Sequence, residues 1–212
     1  MIKNIIFDLG GVLLEIDAQK TIDAFASLGW SRESPEDNSH NRYEIFENLE
    51  TGSDSIGQFR SNLRKKVSGR RSDGNIDSAW NAMLIGFFPG ITGYLQELKS
   101  RYNLFLLSNT NSLHQERFRE IFLNQHGYPI ENLFSMTFYS HEIGFRKPNP
   151  MAYLKVLVDA SLIPENTLFV DDLKINTDAA EKLGMNVLNI KAGNLLHELS
   201  DYLSKADGGP ID

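Results

Sequence analysis

Acidic and hydroxyl side chains that could do chemistry follow apolar stretches of this 212-residue chain. The stretches and the polar residues that end them are 2–7 with Asp8, 104–107 with Ser108 and Asn109, and 168–170 with Asp171 and Asp172. In doubly wound sheets, ligands bind beyond the carboxyl ends of the strands, so we expect these side chains to converge. Carboxylate and hydroxyl oxygens gathered at one edge make a site for a hard cation such as Mg²⁺.

Lys147 joins this set by its position in the chain. It lies in the segment 144–148, shortly after a predicted short strand at 136–139, which brings it close to the same edge. Taken singly, such a lysine is typical of a protein surface, and adjacent acids such as Asp171-Asp172 are typical of a helix start. Asp8 is different, because an acid that ends a buried strand needs a buried partner or a cation.

Helical patterns alternate with these strands. The predicted helices cover residues 92–101, 113–123, 151–160 and 175–183. Strands that alternate with helices indicate parallel strands joined by crossover helices. We therefore predict an α/β fold with a three-layer, Rossmann-like parallel sheet.

The stretch 18–88 interrupts this alternation. It contains helical patterns at 21–28, 43–49, 56–67 and 76–84, polar loops at 31–40 and 68–75, and no convincing strand. We predict an α-helical cap domain at 17–88, inserted into a core domain formed by 1–16 and 89–206. Residues 207–212 are expected to be a frayed tail.

The composition excludes several classes of protein. The chain has no cysteine, which rules out disulfides and thiolate metal sites, and its formal net charge of -7 argues against non-specific nucleic-acid binding. The basic cluster between Arg60 and Arg71 is interpreted as a solvated helix face. No apolar run approaches the roughly 20 residues of a membrane span. We expect a cytoplasmic protein without a nucleic-acid or membrane partner, and leave its oligomeric state open.

Four short motifs occur in one order along the chain. They are FDLGGVL at 7–13, LLSNT at 106–110, KPNP at 147–150, and FVDD at 169–172 with Asn176 beyond. Together they resemble the four motifs of the haloacid dehalogenase superfamily. The helical insertion lies where that superfamily inserts its first-type cap.

The resemblance implies a Mg²⁺-dependent phosphatase that acts on a small phosphorylated metabolite, with Asp8 as the nucleophile that is transiently phosphorylated. It also implies a role for each matched residue. Mg²⁺ would be held by Asp8, Asp172 and the Gly10 carbonyl, with Asp171 binding directly or through water. Lys147 would neutralise the charge on Asp8 and the phosphoryl group, and Ser108 and the Asn109 amide would bind phosphoryl oxygens. Asn176 would orient the loop that carries the acidic pair.

Gly10 departs from the pattern of most phosphatases in this superfamily, which carry a second aspartate at that position as general acid. What replaces the acid is left open. Asp17 and Glu15 lie in the segment leading to the cap, and either could donate a proton or bind substrate hydroxyls. The sequence around them resembles bacterial sugar-phosphate phosphatases, including those that act on glucose 1-phosphate.

Two rival functions stay open. Haloacid dehalogenases also lack the second aspartate, but they need no Mg²⁺ and do not keep the adjacent acidic pair. A catalytically weak binding protein could use the same fold. Within the cap, Arg42, Phe46 and Leu49 are candidates for contact with the substrate, although core packing is the expected role of Phe46 and Leu49.

Overall fold

The computed structural model describes residues 1–30 and 39–206, with side chains in the second range described from Ile45 onward. Most of the predicted loop 31–40, the Arg42 side chain and the predicted tail lie outside the described residues. The strands are β1 (Asn4–Phe7), β2 (Leu14–Ile16), β3 (Leu84–Phe87), β4 (Asn103–Ser108), β5 (Met136–Tyr139), β6 (Thr167–Asp171) and β7 (Asn186–Asn189). The helices are α1 (Ala18–Ser27), α2 (Ser39–Glu50), α3 (Ile56–Arg64), α4 (Asp73–Asn81), α5 (Ile91–Leu98), α6 (Ser112–His126), α7 (Ser140–Ile143), α8 (Pro150–Asp159), α9 (Lys174–Glu181) and α10 (Leu195–Ala206).

Five parallel strands form the central sheet, in the order β5-β4-β1-β6-β7. β1 lies in the middle, where Phe7 is paired with Leu106 on one side and Val170 on the other. The Asp8 N–H continues this pairing with a 2.9 Å hydrogen bond to the Val170 carbonyl. The predicted α/β class with a parallel, Rossmann-like sheet is confirmed.

Side chains of the central strand alternate between two hydrophobic layers. Ile5 and Phe7 belong to the cluster that contains the apolar faces of α5, α6 and α10. Ile6 belongs to the opposite cluster, with α8 and α9. A strand with apolar residues on both faces must be covered on both sides, which explains the three layers.

A two-stranded antiparallel ribbon, β2 with β3, joins the helical insertion to the core. The prediction that 18–88 contains no strand is wrong, because α4 ends at Asn81 and β3 follows at Leu84–Phe87. Strand β3 is short and contains glycine, and its conformation is fixed by pairing with β2, which is distant in sequence.

The edge strand β7 was not predicted either, and asparagines at both of its ends weaken its strand pattern. The domain boundaries at 16/17 and 88/89 stay a prediction.

The four helices α1 to α4, here called the cap helices, pack around a separate hydrophobic cluster, which also contains Leu113 of α6. Leu49 is buried in this cluster, and Phe46 stacks on Trp80 with ring centroids 4.8 Å apart. Both residues therefore have the packing role that was expected for them.

The basic cluster between Arg60 and Arg71 is partly neutralised, because Arg60 forms ion pairs with Asp77 and Asp73. No helix of the described residues is long and apolar enough to cross a membrane.

Trp80 joins the cap helices to core helix α6. Its indole ring stacks on the His114 imidazole, with centroids 4.7 Å apart and an 11° angle between the planes. The indole N–H donates to Asn111 Oδ1 at 3.3 Å, and His114 Nε2 lies 3.1 Å from the Trp80 carbonyl oxygen. Burial lowers the pKa of His114 to about 4, so its ring is neutral in this contact at neutral pH.

We predict that Trp80→Ala lowers the free energy of unfolding by about 3–5 kcal/mol, because it removes a large buried ring and leaves a cavity. Urea unfolding measures the change. Val158→Ala is the control, since Val158 is 72% exposed and its replacement should stay within about 0.5 kcal/mol. Equal effects at the two positions would show that the Trp80 contact does not stabilise the fold.

Candidate active site

Asp8, Lys147 and Asp171 meet at the carboxyl edge of the sheet. The Lys147 ammonium donates hydrogen bonds to Asp8 Oδ1 at 2.6 Å and to Asp171 Oδ2 at 2.7 Å. The Lys147 side chain is 1% exposed, so its charge is compensated almost entirely by these carboxylates. β1 and β6 are neighbours in the sheet, which places the two acids on either side of the lysine.

Asn176 fixes the Asp171 carboxylate. Its Nδ2 lies 3.1 Å from Asp171 Oδ1 and 3.0 Å from Oδ2. The Leu173 N–H also donates to Oδ1, at 2.8 Å. With Lys147 on Oδ2, both oxygens of Asp171 already accept hydrogen bonds, an arrangement that leaves little capacity for direct metal ligation and favours contact through water.

Asp172 completes a group of three carboxylates with Asp8 and Asp171, whose ligand atoms lie within 4.8 Å of one another. When all three acids are ionised, they carry two more negative charges than the single positive charge of Lys147 compensates. A divalent cation matches that charge and prefers such oxygen ligands. The residues present therefore fit Mg²⁺.

Gly11 lies directly against the Asp172 carboxylate. Its φ is +76°, in the left-handed region that glycine favours, and a Cβ there would lie 2.4 Å from Asp172 Oδ2. A side chain at residue 11 would thus displace the carboxylate. The backbone conformation and the close approach of Asp172 both require glycine at residue 11.

Burial and neighbouring charges shift the pKa values of the site. Burial raises the pKa of Asp8 to about 7, although the Lys147 ammonium opposes the shift and the Asp171 carboxylate reinforces it. Burial and Asp171 also raise the pKa of Asp172. Burial alone would lower the pKa of Lys147, but Asp8 and Asp171 raise it, so the lysine is a cation. Asp8 and Asp172 are thus destabilised as anions and would gain from a bound cation.

Ser108 and Asn109 lie at the end of β4, beside the acidic group. Ser108 is the buried last residue of the strand. The Asn109 side chain holds the backbone of Lys147: its Nδ2 donates to the Lys147 carbonyl and its Oδ1 accepts from the Lys147 N–H, both at 2.8 Å. With its side chain engaged by Lys147, Asn109 would bind a phosphoryl oxygen through its backbone N–H. The role of Asn109 in holding Lys147 has no signal in the sequence.

Gly10 faces the Ile16 side chain. It stands at the position where most phosphatases of the superfamily carry a second aspartate. A Cβ built on Gly10 would lie 3.2 Å from Ile16 Cδ1, and its φ needs no glycine. Ile16 is 41% exposed, unlike the buried Leu14 two residues earlier. An apolar side chain thus occupies the direction in which an acid at residue 10 would extend. The sequence gives no sign of this contact, which depends on the fold of the ribbon.

The alternative proton donors are both exposed. Asp17 is the N-cap of α1, and its carboxylate accepts a 3.0 Å hydrogen bond from the Gln19 N–H. Glu15 is paired with Gly86 in the ribbon. Helix capping accounts for Asp17 without any role in catalysis.

Comparison with known proteins identifies relatives along nearly the whole chain. A family model described as haloacid dehalogenase-like hydrolase matches residues 5–190. A D-ribitol-5-phosphate phosphatase of Bacteroides thetaiotaomicron is 30% identical over 197 residues, covering 91% of this chain and 94% of that protein.

Solved structures agree with this result. A haloacid dehalogenase family enzyme of the same bacterium, crystallised with magnesium and inorganic phosphate, is 31% identical with a TM-score of 0.78; the match covers 91% of this chain and 96% of that one. An L-2-haloacid dehalogenase of Xanthobacter autotrophicus shares the fold, with a TM-score of 0.59 and 19% identity. The match covers 90% of this chain and 78% of the dehalogenase. The chain belongs to the haloacid dehalogenase-like hydrolases.

Proposed function

We propose that the protein is a Mg²⁺-dependent phosphatase that hydrolyses a small phosphorylated carbohydrate through a phosphorylated Asp8. The observation that carries this proposal is the arrangement of Asp8, Asp171 and Asp172 around one point, with the Lys147 ammonium bonded to Asp8. The related D-ribitol-5-phosphate phosphatase supports the substrate class. The magnesium and phosphate bound by the related crystal structure support the cofactor and the transferred group.

The nucleophile and the groups that stabilise charge can be assigned to residues of this chain. A carboxylate oxygen of Asp8 forms a bond to phosphorus while the bond from phosphorus to the substrate oxygen breaks, which releases the alkoxide. Lys147 and the backbone N–H of Asn109, with the Ser108 hydroxyl, stabilise the charge that develops on the phosphoryl oxygens. Water then attacks phosphorus and loses a proton, which balances the proton that the alkoxide takes up to become the alcohol; the bond to Asp8 breaks, and inorganic phosphate leaves.

Asp8, Asp172 and the Gly10 carbonyl would hold Mg²⁺, with Asp171 contributing through water. When bound, the ion supplies Lewis-acid stabilisation of the phosphoryl oxygens. Asp171 then has two functions: it completes the anionic group, and it positions the Lys147 ammonium beside Asp8.

The alternative of a metal-independent dehalogenase is less consistent with the site. Displacement at carbon needs a single carboxylate nucleophile, whereas this site gathers three carboxylates within 4.8 Å. The similarity to the dehalogenase structure is at the level of fold alone. A binding protein on the same fold would keep Mg²⁺ affinity and lack turnover, which the first experiment below distinguishes.

The first prediction is that phosphatase activity requires both Mg²⁺ and Asp8. A screen of small phosphorylated sugars and polyols should show phosphate release with Mg²⁺ and none with a chelator, and Asp8→Asn should reduce release to the background. Turnover that survives the chelator or Asp8→Asn would contradict the mechanism. Halide release from 2-haloacids without metal would establish the dehalogenase alternative, and Mg²⁺ binding without either activity would indicate a binding protein.

The second prediction concerns Lys147. Lys147→Ala should lower kcat/KM by about 10² to 10³-fold, because it removes a fixed charge from the reacting phosphoryl group and leaves Asp8 and Asp171 uncompensated. Lys155→Ala is the control, since Lys155 is 45% exposed and forms an ion pair with Asp159 on α8. Comparable small losses at the two positions would show that another cation serves the site.

The third prediction follows from Gly10 and Ile16. Without an acid at residue 10, departure of the alkoxide limits the first step, so kcat/KM should depend strongly on the acidity of the leaving group. Aryl phosphates and anomeric sugar 1-phosphates should exceed esters of primary alcohols, including sugar and polyol 5-phosphates, by about 10²-fold or more.

Replacing Gly10 with Asp, combined with Ile16→Ala to make room, should reduce this dependence, whereas Ile16→Ala alone should not. Gly10→Asp alone should have a smaller effect, because its Cβ would approach Ile16 Cδ1 to 3.2 Å. If the unmodified protein hydrolyses primary esters as readily as aryl esters, another residue supplies the proton. In that case Asp17→Asn should steepen the dependence on the leaving group.

A further inference from the structure

Arg146, the residue before Lys147, connects the core to cap helix α2. Its Nη1 donates a hydrogen bond to Glu47 Oε1 at 2.5 Å, and its Nε lies 3.0 Å from Glu50 Oε2. The two glutamates are one helical turn apart, so they present both carboxylates to the same side of α2. Two ion pairs therefore cross from the cap helices to the loop that carries the active-site lysine.

The end of α2 also lies directly against the core. Gly52 follows the helix with a φ of +70°, and a Cβ there would lie 2.4 Å from the His141 carbonyl oxygen of α7. Only glycine leaves room for so close an approach of α2 to α7, and we call this arrangement of the cap helices on the core closed. The Arg146 ion pairs belong to that closed position.

Arg146 and Lys147 point to opposite sides of one short segment. The Arg146 side chain is 34% exposed at the junction of cap and core, whereas the Lys147 side chain is 1% exposed among the acids. Asn109 bonds both backbone polar groups of Lys147, so this segment has little freedom of its own. The peptide bond between the two residues means that the position of Arg146 acts on the same short backbone segment from which the Lys147 side chain extends.

Glu50 needs a positive partner when the cap is closed. Its side chain is 21% exposed, and burial raises its pKa while Arg146 opposes the shift. Opening of the cap would return Glu50 and Glu47 to water and remove their attraction to Arg146. The two ion pairs thus favour the closed arrangement over the open one.

We propose that Arg146 is a positioning residue that couples closure of the cap to placement of Lys147. Through Glu47 and Glu50 it holds α2 on the core, and through the peptide bond to Lys147 it fixes the loop whose ammonium contacts Asp8. This proposal rests on the proposed phosphatase function for its kinetic effect, but the closed arrangement itself can be tested without activity.

The kinetic test compares Arg146→Ala with Arg117→Ala, which removes an exposed arginine paired with Glu120 within α6. Arg146→Ala should lower kcat by about 10- to 100-fold with a smaller change in KM, since a small misplacement of a catalytic group costs rate. Arg146→Lys should recover most of kcat, and the double variant Glu47→Gln/Glu50→Gln should reproduce the loss. A loss that Arg146→Lys does not recover, or no loss at all, overturns the coupling.

The structural test uses the absence of cysteine from the sequence. Cysteines introduced at the exposed positions Ser61 on α3 and Lys155 on α8 can carry spin labels, so that pulsed spectroscopy measures the distance between cap and core. Arg146→Ala should broaden this distance distribution and Arg117→Ala should leave it unchanged. An identical distribution in the parent and in Arg146→Ala overturns the proposal, even if the protein proves inactive as a phosphatase.

Discussion

The rest of the site depends on a buried ammonium, that of Lys147, held between Asp8 and Asp171. A charge removed from water in this way is stable only if its partners are close and have their own hydrogen bonds. Adjacent strands provide the two acids, Asn176 and the Leu173 N–H satisfy Asp171, and Asn109 holds the lysine backbone. The same group remains anionic overall, which makes it suitable for a divalent cation and for the phosphoryl oxygens that the cation would bind.

Much of the core could be predicted because local patterns and long-range packing agree there. Asp8, Ser108 and Asp171 lie at strand ends, and parallel strands bring such ends to one edge whatever the details of the connecting helices. Contacts that depend on tertiary structure could not be predicted. The β2–β3 ribbon, the contact of Ile16 with Gly10 and the hydrogen bonds of Asn109 to Lys147 each join residues that are separated by intervening chain and carry no periodic signal.

Two of the contacts between the cap helices and the core differ in their chemistry. On the α4 side, Trp80 stacks on His114 in a buried, neutral contact. On the α2 side, Arg146 forms ion pairs with two glutamates, and in the pair with Glu47 the glutamate side chain is 55% exposed. Screening weakens the second contact much more than the first. Rising ionic strength should therefore loosen one side of the cap while the other keeps its packing.

The β2–β3 ribbon places the two connections of the insertion side by side, with Leu14 paired with Phe87. From the viewpoint of the core, the cap helices are a single long loop whose ends are already joined by hydrogen bonds. The entropic cost of closing a loop grows only slowly with its length, so the core tolerates insertions of very different size at this point. A helical insertion of another size could therefore replace this one without any change to the strand ends that carry Asp8, Ser108 and Asp171.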